Sequence, residues 1–161
     1  MHEHIELGGG PNPNYHPNFD IIDHSGVDVK CDLSKGIPLG DGEVKYIYSI
    51  DFIEHLWFED FLNLLKECKR VLIDEGKIEF ITPDCKRTVK VWNDWNEYIM
   101  HIFIGAWAGE GPMRHKQWQT PELMRYILEY EGWRDIEITE FQKDSDNWRE
   151  PKMRVVAKVE K

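Results

Sequence analysis

Nowhere does this chain carry an apolar run near the ~18 residues that a membrane-spanning helix needs. Its longest near-apolar stretch, residues 98–108, is too short. The first residues also lack the charged-then-apolar pattern of a secretory signal. Cysteine is scarce: Cys31, Cys68 and Cys85 are an odd number and form no C-x-x-C. That excludes a disulfide framework and a thiolate zinc cluster, and it fits reduced thiols in a cytoplasmic protein. Positive charge is in the minority, with 20 Lys and Arg against 30 Asp and Glu and a net charge of -10. Such a balance argues against nonspecific binding to a phosphate backbone, so neither a nucleic acid nor a membrane is the expected partner. Only Arg114-His-Lys116 makes a local basic patch. No internal repeat, low-complexity tract or linker interrupts the 161 residues. Residues 1–161 therefore read as one domain, long enough to bury its own core.

Also missing are the usual signatures of nucleophilic catalysis and metal binding. No Ser-His-Asp or Cys-His order stands out. His2 and His4 lie at a terminus and lack further ligands, so no metal site is expected.

What is present begins at residue 5. Ile5 to Leu7 reads as a short buried strand. It holds an acid, Glu6, and runs into Gly8, Gly9 and Gly10. Glycines straight after a strand let a ligand lie against bare backbone, because no Cβ stands in the way. Four more strands are expected at 19–22, 27–31, 44–48 and 77–81, each rich in β-branched or aromatic residues and bounded by Gly, Asp or Pro. They run into Asp23, Asp32, Ser49-Ile50-Asp51 and Asp84. In an open parallel sheet, ligands bind beyond the carboxyl ends of the strands. These polar ends would gather on that one edge.

A dinucleotide fingerprint would need a third glycine where Pro13 stands, and an acid about 20 residues further on. Three prolines among residues 11–18 also oppose a helix there. No Gly-Lys-Ser/Thr follows, so a P-loop is excluded. A cofactor without phosphate escapes these objections, and S-adenosylmethionine is one. Its ribose hydroxyls would donate to Asp23, and its adenine amino group to Asp32. Its cationic sulfonium suits an acidic rim, with Ser49, Ile50 and Asp51 lining the methionine end.

At these residues the chain resembles the class I S-adenosylmethionine-dependent methyltransferases. Glu6-Leu-Gly-Gly-Gly-Pro11 is similar to the family's first motif. Asp23 and Asp32-Leu33 stand where the family places its ribose and adenine contacts. Tyr48-Ser-Ile-Asp-Phe-Ile-Glu-His-Leu56 resembles the segment that ends in Glu-His before a helix. Cys68-Lys-Arg-Val-Leu-Ile-Asp-Glu-Gly76 resembles the family's Arg-Val-Leu turn, with Glu75 replacing a glycine. Thr120-Pro-Glu-Leu and Tyr130-Glu-Gly-Trp133 are similar to its late helix and turn. The resemblance covers roughly residues 5–140. It implies a Rossmann-like, mostly parallel α/β sheet, bound S-adenosylmethionine and methyl transfer. It names no acceptor. Composition makes a small or sugar-like molecule the better expectation than nucleic acid. A noncatalytic cofactor-binding or partner-subunit protein is the alternative, and cleavage of the cofactor is a third.

Periodicity predicts helices over 57–73, 89–103 and 123–131. Glu75-Gly76 is expected to end the first, and Thr120-Pro121 to cap the last. Residues 134–141 and 153–159 read as a closing antiparallel pair, and 105–119 as a glycine-bearing loop able to carry an acceptor site. His55 and His115 are the candidate general bases. Only residues 11–18 and 33–43 join strands one to two and three to four. Parallel crossovers usually take a dozen or more residues. Helices are thus reduced to a turn or lost. A chain starting at strand one would bring no leading segment over the cofactor. A sheet face left bare would favour a homo-oligomer, most simply a dimer, with residues 98–108 as cover. Trp92, Trp95, Trp107 and Trp118 are expected mostly in packing.

Overall fold

The computed structural model describes residues 1–91, 115–141 and 151–161. The strands are β1 (Ile5–Leu7), β2 (Asn18–Asp20), β3 (Val29–Lys30), β4 (Val44–Ile50), β5 (Leu72–Pro83), β6 (Arg134–Phe141) and β7 (Lys152–Lys158). The helices are α1 (Phe58–Val71), α2 (Cys85–Val91) and α3 (Pro121–Tyr130). All seven strands form one sheet in the order β3-β2-β1-β4-β5-β7-β6. The first five strands pair in parallel, and β7 pairs antiparallel with β5 and β6. The chain moves outward from β1 to β3, then returns to the other side of β1 with β4. That reversal makes a crevice beyond the carboxyl ends of β1 and β4.

Alternation within the strands fixes the core. Ile5, Leu7, Ile47, Ile78 and Phe80 are fully buried and share one cluster with Phe61, Leu64 and Leu65 of α1. Burying each such side chain contributes about 1.5–3 kcal/mol. Glu59 and Asp60 open α1, and Lys69 and Arg70 close it, matching the helix dipole. The helix ends at Val71 rather than at the expected Glu75-Gly76. Leu72 is already extended and pairs with Val44, and Glu75 adopts φ 60 within β5. Strand pairing outweighed the local turn signal. Thr120 caps α3, its Oγ1 accepting from Leu123 N at 3.2 Å.

The two short connections are held by side chains in place of helices. Between β1 and β2, the Glu6 carboxylate lies wholly buried and accepts from the backbone N–H of Asn14 and of Tyr15. Asn18 accepts from Gly9 N at 3.0 Å and donates to the carbonyls of Gly10 and Gly26, both at 2.9 Å. Between β3 and β4 only one 3-10 turn forms, Leu33–Lys35. There Glu67 accepts from Ile37 N at 3.0 Å, while Arg70 donates to the carbonyls of Ile37 and Leu39. Glu67 and Arg70 both belong to α1.

On another part of the sheet, Tyr46 donates to Glu79 at 2.8 Å, Arg154 pairs with the same carboxylate, and Tyr15 meets Tyr46 and Tyr48 edge-on. The expected cover at 98–108, most of the 89–103 helix, and Trp92, Trp95, Trp107 and Arg114 lie outside the described residues. α2 does begin earlier than expected, at Cys85. Among the described residues, no helix is long and apolar enough to cross a membrane.

Candidate active site

A cavity of about 340 Å³ opens at the reversal point between β1 and β4. It is lined by Gly8 and Gly10 after β1, Asp20 at the end of β2, and Asp32 and Leu33 after β3. Asp51, Phe52, His55 and Leu56 line it from the β4 side, with Asp60 and Lys116. That volume lies in the range of small-molecule sites.

Each wall has a local cause. Gly8 has φ 68, and a Cβ there would come within 2.3 Å of the Phe52 ring. The bare backbone is what lets Phe52 close that wall. Asp32 accepts from Ser34 N at 3.1 Å and Ser34 Oγ at 2.6 Å, capping the 3-10 turn. The Ser34 hydroxyl first, with Lys35 further away, holds its carboxyl below the usual range. Asp51 adopts φ 53, an uncommon conformation for a residue with a side chain, and pairs with Lys152.

Several expected residues fall elsewhere. Asp23 is 78% exposed, pairs loosely with Lys30 at 3.6 Å, and does not line the cavity. The carboxylate at the end of β2 is Asp20. Strand β2 stops two residues sooner than its apolar run suggested, because Asp20 accepts from Ile22 N at 2.9 Å and turns the chain. Its other oxygen accepts from Gly10 N at 3.1 Å. Ile21 and Ile22, read as strand, line the cavity instead. Glu6 lies beneath the glycine loop, and Gly9 is turned toward Asn18. Ser49 is spent inside the sheet on Leu7 O at 2.9 Å, and Ile50 belongs to β4. Asp84 heads α2, accepting from Arg87 N at 3.1 Å. None of these five lines the cavity.

His55 lines the cavity, and His115 stands against it with ring centroids 4.9 Å apart. A short 3-10 turn, Ile53–His55, carries the first. The second is brought up by Lys116, whose N–H donates to Glu54 O at 2.8 Å, and by Gln117, which donates to Ile53 O at 2.7 Å. Burial, then the neighbouring His55, pushes His115 down to about 4, so its imidazole is neutral at pH 7. Glu54 was not singled out in the sequence beyond its Glu-His pattern, and Asn18, Asp20 and Phe52 carried no linear signal.

The methyltransferase-domain family model matches residues 17–80. That segment runs from the foot of β2 into β5 and contains Asp20, Asp32, Asp51 and His55. No curated protein sequence matches the chain. Among solved structures, an S-adenosylmethionine-dependent methyltransferase from Archaeoglobus fulgidus aligns with a TM-score of 0.69 and 20% identity, over 98% of this chain and 86% of that one. A possible histamine N-methyltransferase from Thermotoga maritima gives 0.67 and 14%, over 99% and 82%. Phosphoethanolamine N-methyltransferase 2 of Haemonchus contortus, in complex with phosphomonomethylethanolamine and S-adenosylhomocysteine, gives 0.67 and 12%, over 98% and 49%.

The chain has the fold of the S-adenosylmethionine-dependent methyltransferases and matches the methyltransferase-domain family over residues 17–80.

The sheet is mostly parallel with an antiparallel end, and three α-helices flank it among the described residues. The cavity's own chemistry suits the methyltransferase cofactor. Asp20 and Asp32 are acceptors for hydroxyl and amino groups, Ile21, Ile22 and Leu33 offer apolar contact to a flat base, and Gly8 and Gly10 leave backbone exposed.

Proposed function

We propose that this chain is a methyltransferase that moves the methyl group of S-adenosylmethionine to a small-molecule acceptor entering beside His55 and Lys116. The observation that carries the reading is the meeting of Gly8, Gly10, Asp20, Asp32 and Asp51 on one cavity at the sheet's reversal point. The cofactor supplies an electrophilic methyl on a positively charged sulfur. Asp20 accepts both ribose hydroxyls, the role first assigned to Asp23. Asp32 accepts from the adenine amino group. Asp51 sits at the methionine end, where its negative charge favours the sulfonium. The chain's main contribution is alignment, which puts the acceptor in line with the breaking bond. A net charge of -10 argues against a nucleic acid acceptor.

Calorimetry with S-adenosylhomocysteine tests the reading. Asp20→Ala removes a charge-assisted contact worth about 1.5–3 kcal/mol, so affinity should fall about 10- to 150-fold. Asp23→Ala should leave it unchanged. Equal loss in the two variants would return the ribose to Asp23, and no binding by the parent chain would end the reading.

A further inference from the structure

We propose that Glu54, His55 and His115 hold a divalent transition-metal ion at the edge of the cofactor cavity, and that this ion takes a hydroxyl oxygen of the acceptor. The acceptor half rests on the methyl-transfer reading above; the metal half does not.

One ligand atom from each of the three residues lies within 4.8 Å of the others. In a tetrahedral site with bonds near 2.1 Å, such atoms stand about 3.4 Å apart. Side-chain rotations of roughly an ångström would close the set. The backbone is already fixed for this: the Lys116 and Gln117 bonds pin residues 115–117 onto the Ile53–His55 turn. Glu54 is only 3% exposed, and Thr82 Oγ1 donates to its Oε2 at 3.1 Å. A neutral donor of that kind orients a ligating carboxylate from behind.

The second observation concerns His115. Its Nδ1 is buried and has no hydrogen-bond partner among the described residues. An orphaned buried polar atom costs about 1–3 kcal/mol. A metal bond to that lone pair would offset the cost. Two imidazoles with one carboxylate suit zinc, cobalt(II) or iron(II) better than magnesium or calcium, which prefer all-oxygen sets. Three protein ligands also leave positions open, the mark of a catalytic rather than a structural site. His55 belongs to both the cluster and the cavity wall, so those positions adjoin the cofactor.

The ion would act as a Lewis acid. Metal-bound water ionises near pH 7, and a bound hydroxyl is acidified in the same way. The acceptor's O–H releases its proton to solvent. The oxygen's electron pair forms the new O–C bond as the C–S bond breaks, and that bond's pair stays on sulfur. The products are a methyl ether, S-adenosylhomocysteine and one proton. Neither histidine then needs to serve as the base.

Cobalt(II) titration of the chelator-treated full chain, followed by calorimetry and visible absorption, tests this. One ion per chain with the intense bands of a low-coordinate site is expected. Glu54→Gln and His115→Ala should each weaken cobalt binding by at least about 100-fold, and Thr82→Val by about 10- to 100-fold. S-adenosylhomocysteine affinity should hold in Thr82→Val, showing an intact fold. Catechol, a simple dihydroxy oxygen ligand, should shift the cobalt bands. A parent chain that binds S-adenosylhomocysteine but no cobalt or zinc overturns the site, as does cobalt binding unaffected by all three substitutions. Bands that catechol leaves unshifted overturn the acceptor half. A chain that binds cobalt at these residues but no S-adenosylhomocysteine supports the metal half and removes the cofactor reading.

Discussion

Gly8 and Gly10 both adopt left-handed backbone, at φ 68 and 58, yet their surroundings differ. A methyl group at Gly8 would meet Phe52 at 2.3 Å, whereas at Gly10 nothing lies within 4 Å. Gly10→Ala should therefore cost only the conformational term, about 1–2 kcal/mol. Gly8→Ala should add overpacking against the ring, bringing the loss to about 2–5 kcal/mol. Urea unfolding of both variants separates the terms, and equal losses would show that Phe52 moves aside freely. At this scale the glycine run was legible only beside the polar residues at the later strand ends, since glycine turns are common, and of the three Gly8 and Gly10 line the cavity. Asp20 was not. Its neighbours Ile21 and Ile22 continue the apolar run, and only the bond from Ile22 N back to its own carboxylate reveals that the strand has ended. Glu54 and His115 lie 61 residues apart in the sequence, a separation no spacing rule bridges.

Among the elements, α1 carries the load of a missing crossover helix. Glu67 and Arg70, on its last turns, hold residues 37–41 in place. The Arg70 hydrogen bond, followed by that from Ile37 N, holds the Glu67 carboxyl below its ordinary 4.5, against the opposing effect of burial. Because the folded value is depressed, this contribution is fully present above about pH 4.5 and fades as pH falls through the folded value. Glu67→Gln should lower stability at pH 7 by about 1 kcal/mol, the pair being partly exposed. Its loss between pH 5 and 3 should also be shallower than the parent's. Parallel acid limbs in the two proteins would detach Glu67 from the staple. The shortness of 33–43 was visible in the sequence, and so was the helix that follows. The link between them was not, since charged residues at spacing three on a helix usually face solvent. For the same reason Glu75-Gly76 misled: a local stop signal is weak against the pairing of Leu72 with Val44.

Across the whole molecule, the polar strand ends and the antiparallel closing pair made the sheet and its ligand edge legible. Strand order was not legible, because no residue of β1 or β4 marks which strands will become its neighbours. Charge adds a property that belongs to no single contact. The chain carries a net -10, and Asp20, Asp32, Asp51 and Asp60 line one cavity. Lys35 and Lys152 partly neutralise Asp32 and Asp51, but they do not reverse the sign of the group. A negative cleft concentrates a cation and is indifferent to a neutral molecule of the same shape. S-adenosylmethionine carries one positive charge more than S-adenosylhomocysteine, on the sulfur. Salt screens charges beyond about 30 Å at 0.01 M and about 8 Å at 0.15 M. Raising salt across that range should weaken S-adenosylmethionine several-fold while barely changing S-adenosylhomocysteine. Calorimetry of both ligands at the two salt concentrations makes the comparison. An equal response would show that the sulfonium lies beyond the field of these carboxylates, and would move the methyl away from Asp51.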